Sequence, residues 1–203
     1  MSDDIMRQAS ESMKHADEIR QRVHDVTLEA LKSRRFDRDS IREVVRAVTE
    51  GMTRGAESNR LGVRHSLAEG FRGMDQAITK SVQAGHEALR QMVATGRGLS
   101  ENEMKQALAG LRKVEEDFVA TVDQVAHSAN ERVRPELREV LRQAAHSGTE
   151  TGRQTARLMT EFTLTGLEIA GEFGMRFAHL ASGVLAGMAD ALDRGKTEQK
   201  PPA

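Results

Sequence analysis

Seven histidines make a metal site the first chemistry to test. A di-metal site in a helical bundle takes Glu-x-x-His pairs from facing helices. This chain instead repeats Gln-x-x-His, with Gln21 before His24, Gln83 before His86, Gln124 before His127 and Gln143 before His146. A neutral carboxamide is a poor ligand beside a carboxylate, so these pairs read as polar helix faces and no metal is expected. His179 stands in an apolar stretch with no carboxylate on its own face and reads as a packing histidine. There is no cysteine, which removes thiolate chemistry and disulfides. No serine elbow occurs. The glycines stand inside helical runs rather than after strands, so no phosphate cradle is expected. No catalytic residue and no cofactor are assigned, and the chain reads as a non-enzyme.

Arginines give the second possibility. Arg42, Arg46, Arg54, Arg60, Arg64 and Arg72 recur through one helical region, where phosphates are natural partners. Glu43, Glu50, Glu57, Glu69 and Asp75 interleave with them, and no aromatic residue or recognition motif accompanies them. Net charge is −1, from 30 basic and 31 acidic residues, so no bulk field draws the chain to nucleic acid. These arginines read as a solvated, charge-alternating face, and no nucleic-acid partner is expected.

What remains is the chemistry of association. After Arg157 the sequence turns apolar, and Leu158, Phe162, Leu167, Ile169, Phe173, Phe177, Leu180, Val184 and Met188 form a candidate interaction face. Only Glu161, Glu168, Glu172 and Arg176 carry charge there before Asp190. Gly51, Gly55, Gly62 and Gly73 form a candidate close-packing seam, because each interior helix glycine costs up to about 1 kcal/mol and needs a reason. Gly148/Gly152 and Gly183/Gly187 have the spacing of membrane helix pairs. Only the second pair lies in an apolar context, and that context is too short to span a bilayer.

Helices must position these groups, and the pattern predicts an all-α protein of long antiparallel helices, a bundle or coiled coil. A short helix is predicted over 3–33, then a long one over 39–96. Small and apolar residues recur there every eleven positions, in rows such as Ile41, Met52, Val63, Met74 and Gly51, Gly62, Gly73, Ala84. Eleven residues span about three turns, so each row lies nearly straight along one helix. A second short helix is predicted over 101–132, opened by the capping box Ser100-Glu101-Asn102-Glu103. Its seam runs Met104, Leu108, Leu111, Glu115, Phe118, Val122, Val125 and Ala129, with Glu115 the one polar member. Pro135 opens the last helix, over 135–192, as proline does well in a first turn. Residues 194–203 read as a disordered tail.

The two halves resemble each other, which suggests an internal duplication with units 1–99 and 100–193. Ser2–Ala9 aligns with Ser100–Ala107, Ile41–Arg46 with Leu137–Arg142, and Gly51/Gly55 with Gly148/Gly152. Aromatics are only 3% of the chain, which suits thin helix seams. The start, Met1-Ser2-Asp3-Asp4, is acidic and no apolar signal follows it, so a cytoplasmic protein is expected. A homo-oligomeric scaffold, joined through the seam and the apolar face, fits these features. The cysteine-free, aromatic-poor, amphipathic pattern also resembles phasins, helical proteins that coat bacterial polyester granules. That resemblance implies a coat on a granule or lipid surface, with a peripheral location, and carries over no binding residues.

Overall fold

The computed structural model describes residues 2–15, 17–34, 37–57, 62–94 and 101–164. Among these the chain is all-α, with seven helices and no strand. They are α1 (Ser2–Ser12), α2 (Ile19–Lys32), α3 (Arg38–Glu57), α4 (Val63–Ala94), α5 (Glu101–Ser128), α6 (Arg134–Ser147) and α7 (Glu150–Leu164).

Counting α6 and α7 as one interrupted run, helices adjacent in sequence run antiparallel, and helices two apart run parallel. Along α1 and α3, Ser2 hydrogen-bonds Glu43, Gly51 meets Met6 and Ala9, and Gly55 meets Ser10 and Met13. Along α2 and α4, Arg20 pairs with Glu69, and Gly73 lies against Arg20 and His24. Along α3 and α5, Arg38 and Arg42 reach Asp117, Arg46 reaches Gln124 and Glu57 reaches Asn130. Along α4 and the α6–α7 run, Arg64 pairs with Glu136 and Asp75 meets Thr151. In each pair both numbers rise together. The described residues therefore form a stack of three helical hairpins in two layers, α1–α3–α5 over α2–α4–α6/α7. One apolar cluster runs through the stack, from Ala9 in α1 to Leu158 in α7.

Three sequence expectations change here. The predicted helix 39–96 is a hairpin: α3 ends at Glu57, Gly62 takes a φ of 93°, and the chain returns so that Thr49 lies 4.0 Å from Met74. The row of Ile41, Met52, Val63 and Met74 remains buried on both sides of the turn, whereas the row of Gly51, Gly62, Gly73 and Ala84 is broken by the exposed Gly62. Periodicity counts positions on a face and is silent about a reversal that preserves the count. The predicted helix 3–33 is likewise two helices, reversing between Ser12 and Ile19 through turn hydrogen bonds such as Glu18 to His15. That turn contains neither glycine nor proline, so its usual signal is missing. The third predicted helix ends at Ser128 rather than 132, where Asn130 Oδ1 accepts the amides of Arg132 and Val133.

The break at Pro135 lies within one residue of its predicted place, with the proline in the first turn of α6. The helix it opens is interrupted at Gly148, φ 74°, before α7 begins. The expected duplication aligns Ile41–Arg46 of α3 with Leu137–Arg142 of α6, and these helices stand in opposite layers.

Candidate functional site

The seam glycines all lie within the described residues, whereas most of the candidate interaction face does not. Gly51, Gly55 and Gly73 are at close helix crossings. A β-carbon built at Gly51 would lie 2.7 Å from Ala9 Cβ and closer still to the Met6 carbonyl. At Gly55 it would lie 2.7 Å from Met13 Cβ, and at Gly73 it would run into the Arg20 carbonyl. These glycines let α1 approach α3, and α2 approach α4, backbone to backbone. Gly62 does not belong with them. It sits in the α3–α4 turn, where an added β-carbon would meet nothing within 4 Å, and its positive φ is what asks for glycine.

Of the predicted interaction face, Leu158 is buried and joins the core. Phe162 lies in α7. Leu167, Ile169, Phe173, Phe177, Leu180, Val184 and Met188, with His179 and the 194–203 tail, lie outside the described residues.

Between these regions the structure assembles a polar junction that the sequence pattern did not single out. It lies where α7 begins, against α4 and α5. The Asp75 carboxylate of α4 accepts the backbone amides of Glu150 at 2.7 Å and Thr151 at 3.0 Å. Those are free amides of a helix's first turn, and a carboxylate is the best cap for them. Thr151 Oγ1 lies 3.0 Å from Thr79 Oγ1 and donates to the Asp75 carbonyl at 3.2 Å. From α5, Glu115 accepts the Thr149 hydroxyl at 2.6 Å, and Thr149 Oγ1 accepts the Gly152 amide at 2.9 Å. A β-carbon at Gly152 would overlap the Glu115 carboxylate. The polar member of the α5 seam thus has its partner, and Gly152 provides the room for it.

A second buried carboxylate ties α5 to α3. Asp117, with a side chain only 9% exposed, accepts Arg38 Nε at 2.6 Å, Arg38 Nη2 at 2.9 Å and Arg42 Nη2 at 2.6 Å. The Arg38 guanidinium, with Arg42 beside it, holds the Asp117 carboxyl below the usual carboxylate range against the opposing effect of burial. A buried pair of this kind is weak support for stability and better suited to fixing register. Next to it, Phe71 of α4 and Phe118 of α5 stack with centroids 5.0 Å apart.

These contacts revise the reading of the charged residues. Arg42, Arg46 and Arg64 are not simply a solvated face, because they reach α5 and α6 across the stack. Asp75 is a buried helix cap rather than an interleaved surface charge. His24 and His86 are buried, whereas His127 and His146 are exposed, so the Gln-x-x-His pairs do not share one polar face. His24 Nδ1 lies 2.8 Å from Asp25. Among the described residues no group of three or more His, Asp or Glu is placed to hold a metal ion. No described helix is long and apolar enough to cross a membrane.

The architecture defines a class, a short all-α stack of hairpins closed at its last helix by a polar junction. The chain belongs to a family of unknown function (DUF6781), whose model matches residues 1–194. No curated protein and no solved structure matches it.

Proposed function

We propose that the protein is a non-enzymatic, cytoplasmic scaffold that self-associates through the apolar face beyond Leu158, from Phe162 to Met188. The supporting observation is how the chain distributes its apolar residues. Among the described residues up to Leu158, most of the buried apolar side chains belong to one internal cluster. The outer sides of both terminal hairpins are polar, with Asp4, Arg7 and Glu11 exposed at one end and Arg138, Arg142 and His146 at the other. Polar outer faces are how stacked-hairpin proteins end their stacks. Beyond Leu158 the sequence is richer in large apolar residues than any stretch before it, and a continuous apolar strip of that kind marks an interaction site.

The same face supports a second reading, a phasin-like coat on a polyester granule or lipid surface. The described amphipathic helices argue for a restricted form of it. Their apolar sides already face one core, so spreading them on a surface requires opening that core. A coat function would therefore rest on the segment after Leu158 alone. The test is Phe173→Asp combined with Phe177→Asp, followed by sedimentation and by flotation with vesicles and polyester granules. The scaffold reading expects a helical variant that no longer self-associates. A wild type that is monomeric but floats with granules replaces it with the coat reading. A variant that unfolds, beside a wild type that is monomeric and floats with neither, makes the segment ordinary core and removes both.

A further inference from the structure

The packing of α7 differs from that of every other described helix, and the difference points to movement. Its buried positions up to Leu158 are Thr149 just before it, then Thr151 and Thr155, with only Leu158 joining the apolar cluster. Buried threonines away from this junction satisfy themselves within their own helix: Thr27 donates to Val23, Thr49 to Val45 and Thr121 to Asp117. Thr151 and Thr149 instead bond across to α4 and α5. Thr155 Oγ1 is buried with no partner at all. Breaking polar contacts to water loses little, because water replaces them, whereas exposing apolar surface does not enjoy that compensation. At the other end of this helix's docked stretch stands Gly148, φ 74° and ψ 151°, with open space around it apart from the Arg153 guanidinium.

We propose that α7 is a strap that undocks as a unit about Gly148, and that Asp75, Thr79 and Glu115 form the latch holding it down. The latch is polar and small, so α7 opens at lower free energy than the apolar hairpins do, as local openings commonly precede global unfolding. Arg153 belongs to the same device, since its Nη1 donates to the Ser147 and Gly148 carbonyls and spans the hinge. Resting on the reading of the residues beyond Leu158 as an association face, the strap governs presentation of that face, which continues from it in sequence.

The test is a reversible staple. Thr79→Cys with Thr151→Cys replaces two hydroxyls 3.0 Å apart in a chain with no other cysteine, a spacing compatible with a disulfide. Amide hydrogen exchange over 150–158 should slow about tenfold or more on oxidation and recover on reduction, while exchange over 44–56 stays unchanged. In the chain without cysteines, Asp75→Asn should speed exchange over 150–158 about tenfold, the order expected when hydrogen bonds to a charged group are weakened. The proposal is overturned if oxidation leaves 150–158 unchanged. It is equally overturned if Asp75→Asn speeds 44–56 as much as 150–158, because α7 then opens only with the whole stack. Sedimentation of the same stapled protein reads the downstream effect. Locked and released forms that exchange differently but associate equally leave the strap in place and remove the scaffold reading of the apolar segment.

Discussion

The interface between the first two hairpins and the docking of α7 hold helices together by opposite means. Between the first two hairpins, Gly51, Gly55 and Gly73 admit neighbouring backbones, and Val44, Val45, Val48, Met52, Met74 and Ile78 fill the space between. That interface is largely apolar, although His24 Nε2 is buried there without a hydrogen-bond partner, and close packing makes it intolerant of added volume. From Thr149 to Leu158 the buried positions are Thr149, Thr151, Thr155 and Leu158, beneath the Asp75 and Glu115 carboxylates. That stretch tolerates little loss of a hydrogen-bond partner and has one large apolar side chain to uncover. The first interface is built to stay closed, and the second is built to be specific while remaining weak.

Substitutions separate the two. The largest effect should come from Gly51→Leu or Gly73→Leu, which must push a helix away from its neighbour; a loss of about 3 kcal/mol or more is expected, at the top of the overpacking range. Urea unfolding checks this, and an unchanged midpoint would mean the crossings are looser than described. Asp75→Ala should lose about 1–3 kcal/mol by leaving buried amides unpaired, with the loss concentrated in α7. Thermal melts combined with local exchange would reveal a uniform loss if that concentration is wrong. Gly62→Ala should lose about 1–2 kcal/mol through its positive φ alone, and Gly62→Asn less, because asparagine tolerates that region better. Equal losses for Ala and Asn would return Gly62 to a packed setting.

Asp117 adds a pH dependence. Its carboxyl is held below the usual range in the folded protein, whereas an unfolded aspartate titrates near about 3.9. The unfolded chain therefore binds the proton first as pH falls. The stabilisation is full above about pH 4–5 and is lost as pH drops through the folded value, with a slope of at most about 1.4 kcal/mol per pH unit for one proton. Asp117→Asn should flatten the dependence of the urea midpoint on pH below about 5 and leave its shape above that unchanged. Parallel curves for the two proteins would show that another carboxylate governs acid unfolding.

The sequence disclosed the all-α class, the burial of the row of Ile41, Met52, Val63 and Met74, and the break beside Pro135, where α6 begins at Arg134. These are local properties, set within a turn or two of helix. The hairpin at Gly62 and the turn after Ser12 were not legible, because a helical period continues across a reversal whenever the residue count happens to preserve it. Gly62 carried a signal in its own composition, as the close of Ser58-Asn59-Arg60-Leu61-Gly62, a polar stretch with two turn formers. The latch was illegible for a different reason. Asp75 and Thr151 lie far apart in sequence, and only the parallel stacking of α4 with α6–α7 brings them together. Glu115 was visible as a lone polar residue in an apolar seam, and an unmatched charge at such a position is the one hint that a partner must arrive from elsewhere.

Native-state hydrogen exchange on the unmodified protein, followed across increasing denaturant, tests the contrast most directly. Amides of α7 between Glu150 and Leu158 should open first, through a local event that depends little on denaturant. Amides between Val44 and Ala56 and between Leu67 and Thr79 should exchange only through a larger opening that depends on it steeply. A single opening with the same free energy and denaturant dependence for all three segments would contradict the account.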